Sequence, residues 1–156
     1  MTVRFRKIFV LVKCTLLLAV LIPSLSNAGI NDKTYGSVLV SKITAIYDGD
    51  TFRANIKGWP SIVGEHIPIC ILGIDTPELR GKCPSEKTLA RKAKQHTVAM
   101  LREAKKIELR GVKRGKYFRL LATVYVDEKI LGDSLVQKGL AVVYGGGTKR
   151  DWWDNL

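Results

Sequence analysis

The sequence predicts a mainly β fold with α: a five-stranded barrel, a long helix after strand three and a short C-terminal helix. Three observations predict it. Five segments, 37–47, 51–56, 67–74, 106–112 and 117–126, are rich in β-branched and aromatic residues and are bounded by turn signals. One longer segment, 85–105, spaces its apolar residues as a helix does, and a shorter one, 131–138, runs up to Gly139. The order of these elements is that of a small OB-fold-like barrel. Such barrels host many functions, so the fold alone does not decide what the chain does.

Each element has its own justification. In 37–47, Val38, Val40, Ile43, Ile46 and Tyr47 are interspersed with Ser41, Lys42 and Thr44. Asp48-Gly49-Asp50 is a turn signal into the second strand. Residues 57–65 hold Gly58, Pro60 and Gly64 and read as a loop. The third strand carries Ile67, Ile69, Ile71, Leu72 and Ile74, with Gly73 as a candidate bulge, and runs into the polar turn Asp75-Thr76-Pro77-Glu78. In 85–105, Leu89, Ala93, Val98, Met100, Leu101 and Ala104 form the apolar stripe, basic residues fill the other face, and Pro84 suits the first turn. The strands 106–112 and 117–126 are joined by Lys113-Arg114-Gly115-Lys116. Residues 140–144 are extended, Gly145-Gly146-Gly147 breaks the structure, and a tail with Trp152 and Trp153 follows.

Length and charge bound the function. The 156 residues suit one ordinary domain, and the net charge of +12 points to a polyanionic partner such as nucleic acid or an anionic surface. Residues 1–28 read as a signal peptide: Arg4, Arg6 and Lys7 precede an apolar stretch that Lys13 interrupts, and Ser26-Asn27-Ala28 offers a cleavage site. Residues 29–156 are then the folded domain, exported to a periplasmic or extracellular setting. Removing Arg4, Arg6, Lys7 and Lys13 takes the charge from +12 to +8, still basic. The two remaining cysteines, Cys70 and Cys83, are permitted a disulfide by such a compartment, and their geometry decides whether one forms. With no Cys-x-x-Cys pair and two histidines, a structural zinc site is not expected.

Two polar turns concentrate the chemistry. Asp48-Gly49-Asp50-Thr51 and Asp75-Thr76-Pro77-Glu78 both stand where a strand meets a turn. If they meet, Asp50, Asp75 and Glu78 form an all-oxygen cluster of the kind a hard cation such as calcium prefers. Arg119, in Lys116-Tyr117-Phe118-Arg119, can add a guanidinium for phosphate. The bland reading of each turn is a solvated surface loop.

These pieces, together with Leu72-Gly73-Ile74-Asp75-Thr76-Pro77-Glu78 and Leu135-Val136-Gln137-Lys138-Gly139-Leu140-Ala141, resemble the staphylococcal nuclease (thermonuclease) family over roughly 38–144. The resemblance implies a calcium-dependent phosphodiesterase, an endonuclease acting on DNA and RNA that breaks the 5′ P–O bond and leaves 3′-phosphate ends. It implies that Asp50 and Asp75 bind Ca2+ with the Thr76 carbonyl. Glu78 orients or deprotonates the attacking water, and Arg119 holds a phosphate oxygen. Lys116, Tyr144 and Lys82 are the expected nucleic-acid contacts, and a monomer free of stable membrane association is expected after signal removal.

One position departs from the family. Cys70 stands where an arginine grips the scissile phosphate, and a thiol has neither its charge nor its fork. Either Lys82, Arg80 or Lys116 replaces it, or activity is weakened. The alternative reading is a catalytically degenerate OB-fold module that binds nucleic acid without cleaving it. A basic protein held on an anionic envelope surface is a third. Residues 70 and 75 are also an odd number apart, so an unbroken strand would turn them to opposite faces. His66 and His96 read as structural or surface residues.

Overall fold

The computed structural model describes residues 33–149, 151 and 152. The expected signal peptide lies outside the described residues. In chain order the elements are β1 (Val38–Ile46), β2 (Thr51–Ile56), the single turn α1 (Ser61–Gly64), β3 (Ile67–Ile71), β4 (Ile74–Asp75), α2 (Pro84–Glu103) and β5 (Ile107–Arg114). A 3-10 turn (Lys116–Phe118), β6 (Leu120–Val126), β7 (Lys129–Ile130), α3 (Leu131–Gln137) and β8 (Val142–Val143) follow. Among the described residues no helix is long and apolar enough to cross a membrane.

Strands β3, β2, β1, β5 and β6 pair in that order, and β3 pairs β6 to close a five-stranded barrel. The closing pair is parallel, with Ile69 opposite Leu120 and Ile71 opposite Ala122. Register shifts in β1 and β5 mark irregularities that let long strands curl around so small a core. Alternation is regular in β2, β3 and β6: every second residue points into the barrel. Phe52, Ile69, Leu109, Leu120 and Val124 fill it, and Leu131 and Leu135 of α3 complete the core.

Four expectations needed correction. The stretch 57–65 is not all loop, because Ser61–Gly64 makes one helical turn, closed by the Glu65 N–H on the Ser61 carbonyl. The strand expected from 117 starts at Leu120, because Tyr117 and Phe118 take positive φ of 55° and 60°. The strand expected over 67–74 ends at Ile71. Gly73 turns the chain with a φ of +87°, and Ile74–Asp75 pairs instead with Val142–Val143. Finally, the buried face of α2 is Glu86, Ala90, Ala93, Thr97 and Leu101, rotated from the apolar stripe because two polar residues belong on it.

Candidate active site

The turn into β2 is folded by its own first residue. One oxygen of Asp48, Oδ1, accepts the backbone N–H of Asp50 at 3.2 Å and of Thr51 at 2.7 Å. Between them, Gly49 is buried, and its carbonyl accepts the hydroxyl of Thr97 on α2 at 2.6 Å. A Cβ at position 49 would lie 2.8 Å from that of Ala93 and 2.9 Å from a Thr76 methyl. This close fit clamps the turn between α2 and residue 76. Asp50 then aims inward. Its Oδ1 accepts the Thr51 hydroxyl at 3.0 Å and its Oδ2 the Thr76 N–H at 3.3 Å. Burial, and next the charge of Asp48, push its carboxyl up to about 7.

The break after β3 answers the parity question. Cys70 and Asp75 stand on two different strands, so the facing rule for one strand does not separate them. Asp75 is 2% exposed and Thr76 is equally buried. The ammonium of Lys149 sits 2.8 Å from Asp75 Oδ1 and 2.9 Å from Glu78 Oε1. The Trp152 indole donates to Asp75 Oδ2 at 3.4 Å. Burial opposes the Lys149 charge, but its bonds to Asp75 and Glu78 prevail and hold the ammonium above its ordinary value. Glu78 is exposed, on a loop that Glu86 organises from beneath. The buried Glu86 carboxylate accepts the N–H of Glu78 at 3.3 Å and of Lys82 at 3.1 Å.

Arg119 enters from just before β6. Its guanidinium donates to Cys70 Sγ at 3.6 Å, and that sulfur lies 3.6 Å from the Thr51 hydroxyl, which bonds Asp50. Thr51 and Cys70 are register partners on β2 and β3, so the closure of the barrel produces this contact. A continuous line of side chains therefore runs Arg119, Cys70, Thr51, Asp50. Cys70 and Cys83 are both free thiols. Cys83 caps α2, its sulfur accepting the Glu86 N–H at 3.4 Å.

Six expected site residues, Asp50, Asp75, Thr76, Glu78, Cys70 and Arg119, thus gather at one end of the barrel. Lys82 and Arg80 edge the cavity that Asp75 and Glu78 line. Lys116 is exposed on the 3-10 turn leading to Arg119. Tyr144 directs its hydroxyl to the Gly147 carbonyl at 2.7 Å, within its own loop. His66 is a surface residue bonded through its backbone, its N–H donating to Asn55 Oδ1 and its carbonyl accepting from Arg53, while the His96 ring meets the Ser134 hydroxyl of α3 at 2.8 Å. Sequence reasoning missed Glu86, Thr97, Lys149 and Trp152. Only Glu86 carried a signal: with Cys83 it has capping-box spacing at a helix start.

The donor set suits a hard cation. Asp50 and Asp75 are carboxylates flanking one peptide, and the buried Asp75 accepts a positive partner there, the Lys149 ammonium. Among the described residues no group of three or more His, Cys, Asp or Glu side chains gathers around a metal position. Backbone carbonyl and water would complete the shell around two such carboxylates.

Comparison with known proteins adds a family match and two relatives. Residues 68–152 match the family described as staphylococcal nuclease homologue. A "Probable endonuclease" of Schizosaccharomyces pombe is 28% identical, covering 78% of this chain and 62% of its own length. Another "Probable endonuclease", from Colletotrichum graminicola, is also 28% identical, over 73% of this chain and 49% of its own. The chain thus spans about half to three fifths of the length of these relatives.

Proposed function

This chain belongs to the staphylococcal nuclease homologue family, and we propose that it is an exported, calcium-dependent nuclease that hydrolyses phosphodiester bonds of DNA and RNA. The observation that carries the reading is the convergence of Asp50, Asp75 and Glu78 with Arg119 at one barrel end. Such a set joins acidic cation ligands, a carboxylate able to take a proton, and a fixed positive charge.

In this mechanism Asp50 and Asp75, with the Thr76 carbonyl, would hold the calcium ion. Bound there, the ion would supply positive charge to the phosphate and fix its orientation. Glu78, exposed at the mouth of the site, takes the proton of the attacking water. Arg119 meets the negative charge that builds on the phosphate oxygens, and Thr51 and Cys70 hold its line to Asp50. Export follows from the signal-like residues 1–28, and the net charge of +8 that remains favours a polyanionic substrate.

The test is degradation of plasmid DNA and of RNA by residues 29–156, with calcium and with chelator. Cleavage with calcium and none with chelator is expected, and no calcium-dependent cleavage at any enzyme concentration would overturn the proposal. One observation favours a second reading, a non-cleaving binding module: Cys70 brings a thiol to Arg119 where a second guanidinium is expected. Salt-sensitive binding without turnover would establish it.

A further inference from the structure

The tail engages the very carboxylates that the proposed chemistry needs free. Lys149 places one ammonium on both Asp75 and Glu78, and its charge is also felt at Asp50. Trp152, buried, takes the other oxygen of Asp75. Both oxygens of the buried carboxylate are therefore occupied by the tail, as is one oxygen of Glu78. The ammonium stands on Asp75, one of the two carboxylates that would serve a cation. Lys149 and Glu78 are each about half exposed, whereas the Asp75 side chain is 3% exposed. An ion pair between half-exposed partners contributes little, so the weight of the contact falls on Asp75. The tail reaches the site through Gly145-Gly146-Gly147, a segment with little backbone preference of its own.

We propose that Lys149 and Trp152 form a tethered plug that holds the site closed by standing in for the divalent cation. The inference rests on the reading that Asp50 and Asp75 bind such a cation. Ammonium and cation then exclude one another, so each weakens the binding of the other by the same factor. On exchange with the cation Lys149 leaves Asp75 and Glu78, and the exposed Glu78 loses its cationic partner. The exchange also lifts Trp152 off Asp75. Arg80, Lys82, Glu86 and Asp151 also line this cavity, and the Lys149 ammonium pairs with both Asp75 and Glu78.

The experiment is calcium titration of the full chain by calorimetry and by tryptophan emission, with Lys149→Gln, Lys149→Arg and Trp152→Phe. Lys149→Gln removes the competing charge and is expected to bind calcium about tenfold tighter, the scale of two charge-assisted hydrogen bonds discounted for exposure. Without calcium it should melt lower than wild type, because Asp75 keeps its burial and loses its cation, and calcium should raise its melting temperature by more. Lys149→Arg keeps the charge and should titrate like wild type. In wild type, saturating calcium should shift an emission component that Trp152→Phe lacks, a readout that needs no variant at position 149 to fold. If wild type binds calcium but Lys149→Gln binds no tighter, or if Trp152 emission does not move at saturation, the plug is overturned and the metal reading stands. If neither wild type nor Lys149→Gln binds calcium, the metal reading falls and the plug with it.

Discussion

Glu86 offers the sharpest stability prediction, because its carboxylate is buried and both its bonds are to backbone. It accepts from Glu78 at 3.3 Å and from Lys82 at 3.1 Å while being 3% exposed. A hydrogen bond to a charged group contributes about 1.5–3 kcal/mol net. Both bonds are on the long side, so the lower bound applies, and two of them come to about 3 kcal/mol. Glu86→Ala loses that and leaves two N–H groups without their acceptor. For a domain of this size 1 kcal/mol corresponds to roughly 4 °C, so the melting temperature should fall by about 12 °C. Glu86→Gln keeps one acceptor oxygen but turns an amide donor toward the other N–H, and should lose about half as much. The loop that these bonds fix carries Glu78, so turnover should fall in both variants even well below the melting temperature. Thermal denaturation followed by circular dichroism checks the first claim, and single-turnover cleavage at low temperature the second. A Glu86→Ala protein melting within 3 °C of wild type would refute the reasoning, which puts the order of the 78–82 loop in that one carboxylate.

Three further outcomes are expected. Glu78→Gln should keep calcium affinity within a few-fold while lowering turnover by roughly 10²–10⁴, the usual contribution of a general base; calorimetry paired with a cleavage assay separates the two. Cys70→Arg should raise cleavage about tenfold or more, scaled down from the roughly 10³–10⁵ of arginines in phosphoryl transfer, because the new guanidinium lies beside Arg119 and is repelled by it; unchanged cleavage in a folded, calcium-binding variant would remove position 70 from the phosphate. Asp127 accepts the N–H groups of Lys105 and Lys106, which hold its carboxyl below the usual range, so its contribution is present above the unfolded carboxylate value and is lost as pH falls through the folded one. Asp127→Asn should therefore melt below wild type at pH 7, with the gap closing in acid as the pH falls below the ordinary aspartate value.

Where the sequence was legible, a periodic or turn signal coincided with the physical constraint. The alternation in Thr51–Ile56 survives as a strand with every second residue buried, because one barrel face is the core. Asp48-Gly49-Asp50 read as a turn and is one, closed by its own first carboxylate. Gly73 was legible as an irregularity but was read as a bulge within one strand; its left-handed turn ends that strand and lets Asp75 leave the one that holds Cys70. What was not legible lies at long sequence separation. Lys149 and Asp75 are far apart in the chain, and a lysine after three glycines reads like any solvated tail. Thr97 carried no sequence signal, yet it is fully buried, its hydroxyl donating to the Gly49 carbonyl. The 3-10 turn before Arg119 was read as strand because Tyr117 and Phe118 are good strand residues; their positive φ is a demand of the connection and outweighs propensity.

The polar residues on the buried face of α2 give that helix its place in the function. A helix that served only the core would present an apolar stripe, and this one interrupts it twice, at Glu86 and Thr97. Each interruption holds one of the two turns that carry acidic site residues: Thr97 the turn of Asp50, Glu86 the loop of Glu78. Loops that carry chemistry need a rigid support, and here the support is a single element reaching both from behind, while the strand ends supply Cys70, Asp75 and Arg119. Its outward basic residues, Arg91 and Lys92 among them, are exposed and lie on the side away from those turns. The positive charge that matters to the site accordingly comes from Arg119 at the start of β6 and Lys149 in the tail, which touch its side chains directly.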